Sequence, residues 1–149
     1  MDRPLFVYGT LRDPDLLTAV LGRRPDRAAV AAAPAPGFRT IVYPGRPYPA
    51  LIRAPGGAAE GLALVGLSRR ERMVLDAYKG EEYSRAMVPV MVDGELHEAE
   101  TYLPTAPIGA DAEAWTLEAW QQLHKPTVFE AERRLADDIR SRLRSAPTR

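Results

Sequence analysis

Apolar residues follow two rhythms along the chain, a period of two through much of the front part and a helical spacing towards the end. Leu5 to Tyr8 is a short apolar run closed by Gly9, the pattern of a buried strand entering a tight turn. Asp13 then suits a helix N-cap and Pro14 the first helical position. Leu16, Leu17, Val20 and Leu21 give that helix one apolar face, and Gly22 ends it. From Ala28 to Ala63 the alternation is cut by Pro34, Pro36, Pro44, Pro47, Pro49 and Pro55. Short strands are predicted over Phe38–Tyr43, Pro49–Arg53 and Glu60–Gly66, several of them at edges or ends because proline lacks a ladder donor. Ser68-Arg69-Arg70-Glu71 reads as a capping box opening a helix to about Tyr78, with Met73, Val74, Ala77 and Tyr78 inward and Gly80 as its stop. AMVPVMV, Asp93-Gly94 and ELHEAETYL predict a β-hairpin with a type I′ turn. A short helix follows from Trp115 to His124, broken by Pro126. Thr127 and Glu130 read as a second capping box, heading a stripe of Ala131, Leu135, Ile139 and Leu143. Strands first and helices last predict an α+β fold with a mixed or antiparallel curled sheet. No linker divides the chain, so residues 1–149 are expected to form one domain with a helical C-terminal segment from about 113 to 145.

Composition narrows the chemistry. With no cysteine among the 149 residues, disulfides, thiolate metal sites and cysteine nucleophiles are excluded. Twenty basic side chains balance 20 acidic ones, which argues against a chain devoted to neutralising nucleic-acid phosphates. No apolar run approaches the roughly 20 residues of a membrane span, and MDRPLFVYG lacks the long apolar region and small-residue cleavage site of a signal peptide. The expectation is a soluble, cytoplasmic protein with no nucleic-acid or membrane partner; its oligomeric state is left open. His97 and His124 stand far apart, and no Asp/Glu cluster at ligand spacing goes beyond Glu98 and Glu100, so no metal site is expected. Trp115 and Trp120 read as packing groups. The phosphate-loop, dinucleotide, zinc-protease and serine-elbow motifs are all absent. Of the basic side chains 18 are arginine and two are lysine, Lys79 and Lys125, which makes each lysine conspicuous.

Site-like chemistry gathers at Tyr8-Gly9-Thr10-Leu11-Arg12. A glycine after a buried strand lets backbone N–H groups converge on an anion, Thr10 adds a hydroxyl, and a helix start follows. A plain strand-to-helix turn explains the same residues equally well. Four ordered segments tip the balance: VYGTLR at 7–12, PYPALIR at 47–53, EGLALVGL at 60–67 and LDAYKGEEYSR at 75–85. Together they resemble the γ-glutamylcyclotransferase-like family, which includes plant avirulence-induced proteins and γ-glutamylamine cyclotransferases. WTLEAWQQLHKPTVF at 115–129 resembles the tail of the plant-type branch.

The resemblance implies a small mixed β-barrel of about five to seven strands with flanking helices. It also implies a cyclotransferase reaction, in which the α-amine of a γ-glutamyl compound attacks its own γ-carbonyl and releases 5-oxoproline with an amine or amino acid. Such chemistry needs no cofactor, only a site that holds the cyclising conformer of a small substrate bearing carboxylate and amine groups. Tyr8, Gly9, Thr10, Leu11 and Tyr83 are the implied substrate-binding residues. The family carries a glutamate as general acid/base at the position occupied here by Lys79. An ordinary ammonium, pKa about 10.4, cannot accept a proton at neutral pH, although burial can lower that value by several units. Three alternatives stay open. Glu81 or Glu82 takes the carboxylate's place; or Lys79 holds an anionic part of a different substrate; or the chain keeps the fold as a catalytically degenerate metabolite-binding domain. Arg85 is placed to pair with Asp76 or with an anionic ligand.

Overall fold

The structure is a computed structural model that describes residues 3–145. Seven strands and four α-helices follow one another as β1 (Leu5–Val7), α1 (Pro14–Leu21), β2 (Val30–Ala32), β3 (Ala35–Val42), β4 (Pro49–Ala59), β5 (Leu62–Leu64), α2 (Arg69–Lys79), β6 (Tyr83–Val92), β7 (Glu95–Pro104), α3 (Leu117–Leu123) and α4 (Lys125–Ser145). Five strands form one mixed sheet in the order β2-β5-β1-β7-β6, in which β1 and β7 run parallel; β3 and β4 form a separate two-stranded ladder. The fold is α+β as expected, but the sheet does not close into a barrel. From β6 to the segment before β3 runs a bond from the Met91 N–H to the Pro34 carbonyl, 2.8 Å long. Pro34, Pro36 and Pro89 have no N–H to give, so a continuous ladder across this seam is blocked.

Local signals set the first elements. Asp13 accepts the Leu16 N–H at 3.0 Å, Pro14 sits in the first turn, and Gly22 closes α1 in the left-handed region. The Ser68–Glu71 capping box forms at the start of α2. Asp93 and Gly94 both have positive φ, 50° and 79°, as a type I′ turn between β6 and β7 requires. Side chains of β1 alternate between two cores: Leu5 and Val7 meet the helices, while Phe6 and Tyr8 meet Phe38, Leu51, Val88 and Val90.

Three local expectations need correction, and one strand, β2, is not among those predicted. The short, small-residue strand β2 carries too little patterning to stand out from its surroundings. On α2 the buried pair is Val74 and Leu75, whereas Met73 and Ala77 are exposed, because α4 covers the face one residue further round. Trp115 precedes α3 and pairs with β3 through its N–H to the Thr40 carbonyl; its indole donates to the Pro47 carbonyl. Pro126 does not separate the last two helices by breaking one. It occupies the first turn of α4, where a proline costs no helical hydrogen bond, and Thr127 donates to the His124 carbonyl instead of forming a capping box. The inward residues of α4 are therefore Val128, Phe129, Glu132, Ala136, Ile139 and Leu143, while Ala131 and Leu135 are exposed.

Two anchors hold α4 against α1. Lys125 bonds the buried cap Asp13, which Gln121 also reaches, and the Arg140 guanidinium donates to the carbonyls of Ala19 and Val20. Among the described residues no helix is long and apolar enough to cross a membrane.

Candidate active site

The turn after β1 is tight for a steric reason: a Cβ on Gly9 would lie 2.5 Å from Pro49 Cγ. Bonds from the Arg12 N–H to the Gly9 carbonyl and from the Asp13 N–H to the Thr10 carbonyl wind it into a single 3₁₀ turn. The side chains of Tyr8 and Leu11 are buried in the two cores, and Thr10 reaches the wall of a cavity of about 210 Å³. That is about seven water volumes at roughly 30 Å³ each, below the usual span for drug-sized ligands.

Another wall is the C-terminal end of α2, which presents Tyr78 and Lys79. Gly80, at φ 69° and ψ −159°, adopts a backbone conformation open essentially to glycine alone, so the helix ends at Lys79. Tyr48 and Tyr83 close another side; with Tyr43 they form a ring cluster whose centroids lie 5.6–5.9 Å apart. Tyr83 donates to the Pro49 carbonyl at 2.6 Å and Tyr102 to Asp76 Oδ1 at 2.5 Å, which fixes both rings. Lys79 Nζ sits over them, 4.8 Å from the Tyr83 centroid and 5.9 Å from that of Tyr102, at cation–π distance. Trp120 of α3 and Val128, Glu132 and Leu135 of α4 complete the lining.

Burial pushes the Lys79 ammonium down to about 8, with the negative charge of Glu132 opposing the shift. Glu132 moves the other way. Burial raises its carboxyl above the ordinary range, while a hydrogen bond from Tyr78 and the charge of Lys79 hold it partly down. Burial thus moves both groups toward their neutral forms, and each favours the other's charged form across one small, aromatic-walled space.

The residues singled out by sequence do not all meet here. Thr10, Lys79 and Tyr83 share the cavity. Tyr8 is one layer away, donating its phenol to the Tyr102 carbonyl at 2.5 Å. Neither Glu81 nor Glu82 lines the cavity: Glu81 is exposed, and Glu82 is held by Arg46 at 2.9 Å and by the Tyr48 hydroxyl. Arg85 pairs with Asp76 at 3.1 Å and with Glu100 at 3.0 Å. Glu132 lies off the expected stripe, which runs through Ala131 and Leu135 on the neighbouring face. Spacings of four, four and seven residues put it in line with Val128, Ala136 and Ile139, an acidic residue on an apolar stripe, and that is the signal that finds it.

Residues 5–122 match the family described as gamma-glutamyl cyclotransferase, AIG2-like, a segment that stops short of α4. The chain is 34% identical over 133 residues to AIG2-like protein B of Arabidopsis thaliana, covering 85% of this chain and 74% of that one. It is 31% identical over 136 residues to AIG2-like protein A of the same plant, covering 89% and 81%. An Arabidopsis thaliana protein solved in solution shares the fold at a TM-score of 0.65 and 29% identity, over 98% of this chain and 95% of that one. A structure described as a gamma-glutamyl cyclotransferase superposes at a TM-score of 0.57 over 99% of this chain and 89% of that one; at 17% identity the likeness is one of fold. With the cavity at the glycine turn and these matches taken together, the chain belongs to the gamma-glutamyl cyclotransferase, AIG2-like family.

Proposed function

We propose that the protein is a cyclotransferase acting on a small γ-glutamyl amine or related amide. The α-amine attacks the γ-carbonyl, the bond to the leaving nitrogen breaks, and 5-oxoproline and a free amine or amino acid depart. The observation that carries this reading is the cavity lined both by Thr10, in the glycine turn, and by Lys79, at the end of α2. Nucleophile and electrophile belong to one molecule, so the site's main task is to hold the folded conformer. A volume of about 210 Å³ suits a substrate of that size, and Tyr48, Tyr78, Tyr83 and Trp120 offer it aromatic surface. Backbone donors of the Gly9–Leu11 turn stabilise negative charge, in keeping with the resemblance. No cofactor is needed, and the substrate carries both the carboxylate and the amine that the site addresses. Incubation with a panel of γ-glutamyl amines and dipeptides tests the reading: 5-oxoproline is expected above a heat-killed control, and its absence across the panel overturns it.

A second reading is favoured by one observation, the ammonium of Lys79 in the position where the family carries a carboxylate. On this reading the domain binds a small anionic metabolite without turning it over. Lys79→Glu separates the two. Gain of cyclotransferase activity favours the binding domain, whereas loss of an existing activity puts Lys79 in the mechanism.

A further inference from the structure

We infer that Glu132 of α4, outside the segment that matches the family, is the catalytic carboxylate of this chain, and that Lys79 in the same cavity receives the negative charge of the substrate. This rests on the cyclotransferase reading above. Three observations support it. Glu132 is an acidic side chain lining the cavity, whereas Glu81 is exposed and Glu82 is committed to Arg46 and Tyr48. Tyr78, the residue before Lys79, lines the same cavity and, with Lys79, favours the ionised carboxylate, so the end of the helix that carries the departure from the family acts on the replacement. The helix bearing Glu132 is fastened on both sides of it, by Lys125 to Asp13 and by Arg140 to the carbonyls of Ala19 and Val20. A carboxylate fixed in this way is held in place before substrate arrives.

The proton balance closes. Glu132 takes a proton from the α-ammonium, and the freed lone pair forms the bond to the γ-carbon. The carbonyl electrons move onto oxygen, where the Lys79 ammonium stabilises them. Collapse re-forms the carbonyl and breaks the bond to the leaving nitrogen, which takes the proton held by Glu132. A second proton passes from the ring nitrogen through Glu132 to the same amine. Two protons have then moved from the α-nitrogen to the leaving nitrogen, which departs as an ammonium, and Glu132 ends ionised as it began. Burial raises the basicity of Glu132 above that of an exposed glutamate, the direction that general base catalysis near neutrality favours.

The test combines turnover with the titration of Lys79. For Glu132→Gln, kcat is expected to fall about 100-fold or more with KM changed less than about threefold, the scale of losing a general base. For Glu132→Ala, added formate is expected to restore at least about tenfold of the lost kcat, which a merely structural role does not allow. In Glu132→Gln the Lys79 midpoint, followed by ¹³C-labelled lysine signals, is expected to fall below that of the wild type, since a carboxylate that favours the ammonium has gone. Wild-type turnover with a fully active Glu132→Gln, or an unmoved Lys79 midpoint, overturns the inference and leaves the cyclotransferase reading standing. A wild type without product overturns both.

Discussion

Lys125 Nζ lies 3.0 Å from Asp13 Oδ1 and 2.6 Å from Asp15 Oδ2, so a single ammonium joins the first turn of α4 to the first turn of α1. Asp13 is almost fully buried and caps α1 at the same time. Replacing it with alanine removes the cap and leaves Lys125 with the exposed Asp15 alone. The expected cost is about 1–3 kcal/mol, read as a fall in Tm of about 2–4 °C per kcal/mol. Burial works to raise the Asp13 carboxyl, but hydrogen bonds from Gln121, Lys125 and the Leu16 N–H outweigh it and hold the value below the ordinary one. A depressed carboxyl stabilises the fold above its unfolded pKa, about 3.9, and loses that contribution as pH falls through the lower folded value. The stability gap between wild type and Asp13→Asn is therefore expected to shrink below about pH 4, measured by denaturant melts at stepped pH.

The two lysines should titrate far apart. Lys79 is pushed by burial down to about 8; Lys125 is raised by its hydrogen bond to Asp15 and then by Asp13. Labelling lysine with ¹³C at Cε gives two lysine signals, and the expected result is one midpoint near 8 and one above the ordinary value. Between about pH 8 and 10.4 the unfolded chain holds the Lys79 proton that the folded chain has released, so this group adds stability as pH rises through that window. Lys125 has the opposite sign: its contribution is full below the unfolded pKa and is lost as pH climbs past the raised folded value. Coincident midpoints would contradict the packing of Lys79 against Tyr83 and Tyr102.

Gly9→Ala should both destabilise the protein and disturb the site. The added methyl meets Pro49 Cγ at 2.5 Å, so the turn or the start of β4 has to shift. Overpacking of this kind costs about 1–3 kcal/mol, visible as a lower denaturant midpoint at unchanged m-value. Because Thr10 follows directly, any cyclotransferase turnover should fall by more than the loss of folded protein explains. The same midpoint and turnover as the wild type would show that the turn has room to spare.

Much of this arrangement is written locally, and the part that is not has a clear cause. β1, the glycine turn and α1 are legible because Asp13, Pro14 and Gly22 act on the backbone of their own neighbours. The β6–β7 hairpin is legible for the same reason, through Asp93 and Gly94. Helix faces are another matter. Thr127 and Glu130 make a plausible local start, but the contact of Lys125 with Asp13, far away in sequence, accompanies a helix that begins earlier. Which face of α4 is covered is set by its partners α1 and α2, which leave Ala131 outside and take Glu132 inside. Thr10, Lys79 and Tyr83 were identified through the turn and the family resemblance, neither of which extends to a carboxylate on α4.

Ile139 carries the packing that keeps α4 down. It is nearly buried, close to Ala136, which is fully so. Ile139→Ala is expected to cost about 2–4 kcal/mol through lost burial and a residual cavity. Calorimetry gives the stability change. If Glu132 acts from a rigid helix, kcat for the remaining folded protein falls as well, while Leu123→Ala, at an exposed position, leaves stability within about 0.5 kcal/mol.

One wall of the cavity is a helix, not a strand. Exchanging a side chain on a strand risks register and ladder bonds, because neighbouring strands share the same hydrogen bonds. At 128, 132 and 135 the backbone bonds stay within α4, so these positions can be rewritten while the sheet, the glycine turn and the tyrosine cluster remain as they are. The framework and the lining thereby become separately adjustable parts, and the shape and charge of the cavity can be changed from α4 with the strands left untouched.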